Sequence, residues 1–219
     1  MIRRLYLMRH AEVAYFDADG TPFDPARVAL TDQGIEQALA VARALEGVVI
    51  DRVLTSGLPR TIETARIVAP GAELEIWPEL TELRGGRLFD IPEEELEVAF
   101  TRAFHGLVPL EAQFLGGETI GSLLDRVVPA VQRLFGEPGW DTALAVLHGG
   151  VNRAILSFAL TGERRFIGGI EQAPACLNVL DVGEDWIVRA VNSAPYDVAH
   201  TRGRLTTMEE LFRQYRPGP

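Results

Sequence analysis

The chain has 219 residues, 47% hydrophobic and 24% charged, the balance of a globular protein with a sizeable core. Its formal net charge of −10 excludes a general affinity for nucleic acid or for an anionic membrane. All 21 basic residues are arginine, which excludes lysine Schiff-base chemistry and a lysine phosphate clamp.

In chain order, an apolar run over 3–9 reads as a strand and ends abruptly in Arg9 and His10. That run is too short for a signal segment, and no stretch of the sequence approaches membrane-span length. Cys176 is the only cysteine, so no intramolecular disulfide can form, and a cytoplasmic protein is expected. Thr31 caps a helix running through Gly47. A short strand over 51–55 leads into Ser56-Gly57-Leu58-Pro59-Arg60, where Pro59 suits the first turn of a helix that stops before Pro70. Residues 74–80 read as a strand. Glycine pairs at 85–86 and 116–117 bracket a helix over 93–105, and the segment 84–117 is expected to be a cap insertion. A helix over 118–135 follows, then a strand over 142–147 that ends in His148-Gly149-Gly150, and a helix over 151–160. Two closing strands, 175–182 and 186–191, precede an irregular tail holding Tyr196, His200, Arg202 and Arg204, expected to fold over the site or over a neighbour. Cys176 reads as a small core residue of the first closing strand.

This alternation predicts a single α/β domain over 1–219. The architecture expected is three-layer, with a mostly parallel doubly wound sheet, helices on both faces and a small helical insertion over the C-terminal strand ends. Ligands of such sheets collect at the carboxyl ends of the strands, where Arg9, His10, Arg60 and His148 all fall. Two guanidiniums, two imidazoles and the amides of Gly149 and Gly150 suit a phosphate dianion. An imidazole in line with phosphorus can attack it, giving a phosphohistidine, and a nearby carboxylic acid would protonate the leaving oxygen. Plainer readings stand beside these: a solvated strand end for Arg9 and His10, a surface arginine pairing with Glu63 or Thr64 for Arg60, and a helix cap for His148. A zinc site of His10, Glu12 and His148 lacks close-spaced ligand pairs. His105 and His200 read as surface residues.

The chain resembles the histidine phosphatase superfamily, also called phosphoglycerate-mutase-like proteins. Arg9-His10-Ala11-Glu12 stands where that family has Arg-His-Gly. Leu30-Thr31-Asp32-Gln33-Gly34 with Gln37 and Ala38 matches its Leu-Thr-x-x-Gly-x-x-Gln-Ala. Ser56 to Thr61 with Thr64 and Ala65 matches Ser-x-x-x-Arg-Thr-x-x-Thr-Ala, Leu80-Thr81-Glu82 its Leu-x-Glu segment, and His148-Gly149-Gly150 its second histidine. The resemblance implies that His10 is the nucleophile and that Arg9, Arg60, His148 and Gly149 bind the phosphate. It also implies Glu82 as general acid and then base, with Glu79 its rival, and neither metal nor cofactor, because the arginines supply the positive charge. The partner expected is a small phosphorylated substrate, and the assembly implied is a homodimer.

Three departures bear on substrate. Ala11 replaces a glycine, and Phe16 stands where phosphoglycerate mutases carry an asparagine that touches phosphate. Tyr15, Phe16 and Phe23 make their loop aromatic, which is read first as pinning it to the core and second as suiting an apolar or sugar-like substrate portion. A mutase needs further cations in the cap. Arg84 and Arg87 are available, but Glu93, Glu94, Glu95 and Glu97 follow closely. A phosphomonoesterase is therefore expected, with a phosphoglycerate-type mutase and a phospho-ligand-binding module without turnover as the alternatives.

Overall fold

The computed structural model describes residues 2–17, 19, 21–201 and 204–215; Arg202 of the tail lies outside them. In chain order the elements are β1 (Arg3–Arg9), α1 (Asp32–Ala44), β2 (Arg52–Thr55), α2 (Pro59–Val68), β3 (Leu74–Ile76), α3 (Leu96–Thr101) and β4 (Leu107–Val108). There follow α4 (Ile120–Gly136), β5 (Thr142–Leu147), α5 (Gly149–Thr161), β6 (Phe166–Ile167), β7 (Leu177–Val182), β8 (Trp186–Ser193) and α6 (Thr207–Tyr215).

Six strands form one sheet in the order β3-β2-β5-β1-β7-β8. The first four run parallel, and β7 and β8 add an antiparallel edge. Because side chains alternate along a strand, each parallel strand serves two layers. Leu5, Leu7, Ala143, Ala145 and Leu147 share a core with Leu123 and Val127 of α4 and Ile155 of α5. Met8, Val53, Leu144 and Val146 share the other with Ala38 and Val41 of α1 and Ala65 and Val68 of α2. The three-layer α/β architecture is thus the one expected. No helix among the described residues is long and apolar enough to cross a membrane.

Several boundaries differ from the sequence reading. The strand expected over 74–80 stops at Ile76, because Pro78 has no N–H for the ladder and opens a 3-10 turn over Pro78–Leu80. The helix expected over 93–105 is broken into 3-10 turns flanking α3, whose buried residues are only Leu96 and Phe100, one helical turn apart. The apolar face there holds a single turn in place. The tail is not irregular throughout. Its Met208, Leu211, Phe212 and Tyr215 pack as α6 on Leu96, Phe100 and Leu115, making a third small cluster.

The two glycine pairs meet in space. Gly86 N–H donates to the Leu115 carbonyl at 3.0 Å, and Glu118 N–H to the Arg84 carbonyl at 2.8 Å, closing the base of the intervening segment. A β-carbon on Gly117 would collide with the Arg84 carbonyl oxygen, so the approach requires glycine.

Candidate active site

The strand order makes β2, β5 and β1 neighbours, so their carboxyl ends form one edge. Arg9 pairs with Leu147 in the parallel β1/β5 ladder, and His10 N–H donates to the Leu147 carbonyl at 2.9 Å. His10 and His148 therefore leave the sheet side by side, with ring centroids 5.3 Å apart in an edge-on arrangement. Ala11 is buried and its N–H donates to Thr64 Oγ1 at 3.0 Å. Its backbone is not among the left-handed residues, so the methyl group is accommodated without strain.

Hydrogen bonding sets both imidazole tautomers. His10 Nδ1 lies 2.7 Å from the Ala11 carbonyl, which can only accept, so the proton is on Nδ1 and the lone pair on Nε2. His148 Nδ1 lies 3.4 Å from Arg60 Nη2, which can only donate, so its proton is on Nε2 and goes to Ser56 Oγ at 2.8 Å. Ser56 in turn donates to Thr61 Oγ1 at 3.1 Å, whose own hydroxyl donates to the Leu58 carbonyl. Both imidazoles are held well below the ordinary histidine pKa. Burial is the main cause for each, followed for His10 by Arg60 and Arg9, and for His148 by His10, Arg60 and Arg9. His10 thus presents an unprotonated Nε2.

Arg9 and Arg60 are buried, at 9% and 3% exposure, and neither has a carboxylate partner among the described residues. Arg9 Nη1 donates to the Gln172 carbonyl and to Thr207 Oγ1; Arg60 Nη1 donates to the Pro25 carbonyl. The Nε–H of each guanidinium is buried without a partner. Two uncompensated buried cations with spare donors, beside two neutral imidazoles, make a receptor for a dianion. The surface pairing of Arg60 with Glu63 is not what forms: Glu63 accepts from Leu30 N–H instead.

Glu82 reaches the same place from the turn after β3. Its carboxylate accepts from Gly150 N–H at 3.1 and 3.2 Å, at the amino end of α5, and from Leu83 N–H at 2.9 Å. A β-carbon on Gly150 would lie 2.5 Å from Glu82 Oε1, so only glycine leaves the carboxylate room. The Gly150 amide, expected from the sequence to face phosphate, is therefore engaged by Glu82. Gly149 lies beside Arg9, where a β-carbon would stand 3.7 Å from Nε. Arg126 fixes the loop carrying Glu82, donating to the carbonyls of Glu79, Thr81 and Glu82 at 2.6, 2.7 and 3.2 Å while pairing with Glu118. Glu79 turns outward to Arg133.

Arg9, His10, Arg60 and Glu82 line a cavity of about 540 Å³. Tyr15, Phe16 and Phe23 line it as well, so the aromatic loop is a cavity wall rather than a pin into the core. The opposite wall comes from Phe100, Phe104, Phe114 and Leu115, and α6 closes a third side with Met208 and Leu211. Glu12 is held by Thr31 and Gln37, and no group of three His, Cys, Asp or Glu among the described residues is placed to hold a metal ion. His105 and His200 are exposed. Sequence reasoning missed Ser56, Arg126 and Thr207 as parts of the site, and it gave the Gly150 amide to phosphate rather than to Glu82. Ser56 lay in a quoted motif, but nothing in the sequence ties Arg126 or Thr207 to it.

The chain is 29% identical over 202 residues to the adenosylcobalamin/alpha-ribazole phosphatase of Escherichia coli, covering 87% of this chain and 96% of that one. It is 25% identical over 216 residues to phosphoglycerate mutase-like protein 4 of Arabidopsis thaliana, covering 90% and 86%. The crystal structure of the alpha-ribazole phosphatase from Shigella flexneri superposes with a TM-score of 0.69 at 27% identity, over 87% of this chain and 96% of that one. The family model of the histidine phosphatase superfamily (branch 1) matches residues 5–193, and with the two histidines and two arginines gathered at one sheet edge, the chain belongs to that superfamily.

Proposed function

We propose that the protein is a phosphomonoesterase that works through a phosphohistidine on His10. The phosphate is bound by Arg9, Arg60 and the amino end of α5 at Gly149, and by His148 once the incoming dianion draws a proton onto its Nδ1. The Nε2 lone pair of His10 attacks phosphorus as the ester P–O bond breaks, and Glu82, protonated at that stage, gives its proton to the leaving oxygen. Water then attacks the phosphohistidine, Glu82 takes the proton back, and inorganic phosphate leaves with His10 restored. Arg9 and Arg60 supply the charge stabilisation that a metal supplies elsewhere, so the reading needs no metal.

The observation that carries hydrolysis over isomerisation is the charge on the cavity wall. Beyond Arg9 and Arg60 no cation lines the cavity among the described residues; the other charged groups there are Glu12, Glu82 and Glu210. Arg84 and Arg87 are exposed and do not line it. A mutase must hold a second anionic group, and this wall would repel one. The test is phosphate release from a panel of phosphomonoesters, with and without chelator, by the wild type and by His10→Ala. Release that survives chelation and disappears in the variant is expected. Isomerisation without free phosphate would overturn hydrolysis, and wild-type release by the variant would overturn the nucleophile.

A further inference from the structure

If the phosphate binds at Arg9 and Arg60, the remainder of the cavity must receive the leaving group. Three separate stretches enclose it: Tyr15 and Phe16 after β1, Phe100 and Phe114 from the segment beneath α6, and α6 itself. Aromatic contacts hold α6 on both sides. Tyr215 packs on Phe16 with ring centroids 5.8 Å apart, and Phe212 and Tyr215 pack on Phe100 at 5.4 and 5.6 Å. Its first residue, Thr207, accepts from Arg9 at 3.0 Å and donates to Glu171 at 3.1 Å, so the helix also starts on the phosphate-side cation.

The carboxylates of the wall differ in one respect. Glu12 accepts from Thr31 and Gln37, and Glu82 from Gly150 and Leu83. Glu210, less than one turn beyond Thr207, has no hydrogen-bond or ion-pair partner for its carboxylate among the described residues, yet it lines the cavity. Partial burial is the largest cause raising its pKa, Glu171 and Glu12 add repulsion, and Arg9 and Arg213 pull it the other way. A second phosphate or carboxylate on the leaving group would add to that repulsion, whereas an N–H or O–H donor would relieve it.

We propose that Glu210 is a specificity-determining residue, rejecting leaving groups that carry a further anion and accepting a hydrogen bond from one built on a flat, uncharged or cationic aromatic ring. The aromatic residues around it supply faces and edges for such a ring, and α6 supplies the charge that selects it. The inference rests on the hydrolase reading, and the experiment separates the two.

The kcat/KM of the wild type, Glu210→Gln and Glu210→Arg is measured by phosphate release on two kinds of ester. One kind carries an uncharged aromatic leaving group, as in phenyl phosphate and an aromatic riboside 5′-monophosphate. The other carries a carboxylate, as in 3-phosphoglycerate and phosphoserine. The wild type is expected to favour the aromatic esters by about tenfold or more, Glu210→Gln to narrow the ratio, and Glu210→Arg to raise kcat/KM on the carboxylate esters by about tenfold. An unchanged ratio in Glu210→Arg, or a wild-type preference for the carboxylate esters, overturns the role of Glu210 and leaves hydrolysis standing. Silence of the wild type on both kinds overturns the hydrolase reading and the selectivity with it.

Discussion

Two contacts at single residues shape the candidate site. The Ala11 carbonyl fixes the His10 proton on Nδ1, and Gly150 makes room for the carboxylate of Glu82. Gly150→Ala is expected to displace Glu82 and lower kcat by about 10²- to 10⁴-fold, the range of a lost general acid, with a much smaller change in KM. Arg126→Ala releases three carbonyls around Glu82 and should move kcat in the same direction by less; steady-state kinetics of both variants checks the order. Arg9, His10, Arg60 and His148 were legible in the sequence because each stands at a strand end or helix start, where an apolar run breaks off into a charged or titratable group. Glu82 was legible only through resemblance, since nothing in its spacing separates it from Glu79. Arg126 reads as one more polar position on an amphipathic helix, and what distinguishes it is three carbonyls that converge on it only after folding.

At the scale of elements, the parallel strands and their helices were legible because alternating burial on two faces leaves near-continuous apolar runs, and capping residues mark the helix starts. The segment between Arg84 and Glu118 was legible at its glycine edges but not within. Its α3 is too short for a periodic pattern, and β4 and β6 are two-residue strands that only pairing with each other defines. Helix α6 was missed for a related reason: its apolar residues answer a partner surface on Phe100 and Leu115 that the local sequence does not contain. Gly117→Ala should force the base of this segment apart. The expected loss is about 1–3 kcal/mol of stability together with a raised KM, measurable by thermal unfolding and kinetics. Phe212→Ala should raise KM as well, with less effect on the global midpoint, because α6 packs mainly in a small cluster apart from the two main cores.

Across the whole molecule, a net charge of −10 surrounds a buried centre with two cations and two neutral imidazoles. Its stability should therefore depend on pH before any carboxylate titrates. Above pH 6.5 both histidines are neutral whether the chain is folded or unfolded. Below it, the unfolded chain binds two protons that the fold refuses. Stability should fall as pH drops from 6.5, by about 1.4 kcal/mol per unit for each histidine. Denaturant midpoints at pH 7 and pH 5 check the slope, and phosphate that binds only the folded state should raise both midpoints.

The placement of β1 has a consequence for biosynthesis. Its residues Arg4 and Leu5 find their hydrogen-bonded neighbours at Thr142 and Ala143 on one side and at Asp181 and Leu180 on the other. His10 therefore leaves the ribosome well before either neighbouring strand of β1 has been made. Until then both edges of β1 are unpaired, the kind of exposed strand that has to be shielded from other chains. The placement of β5 between β1 and β2 is what brings His148 to His10, so the candidate site depends on contacts distant in sequence.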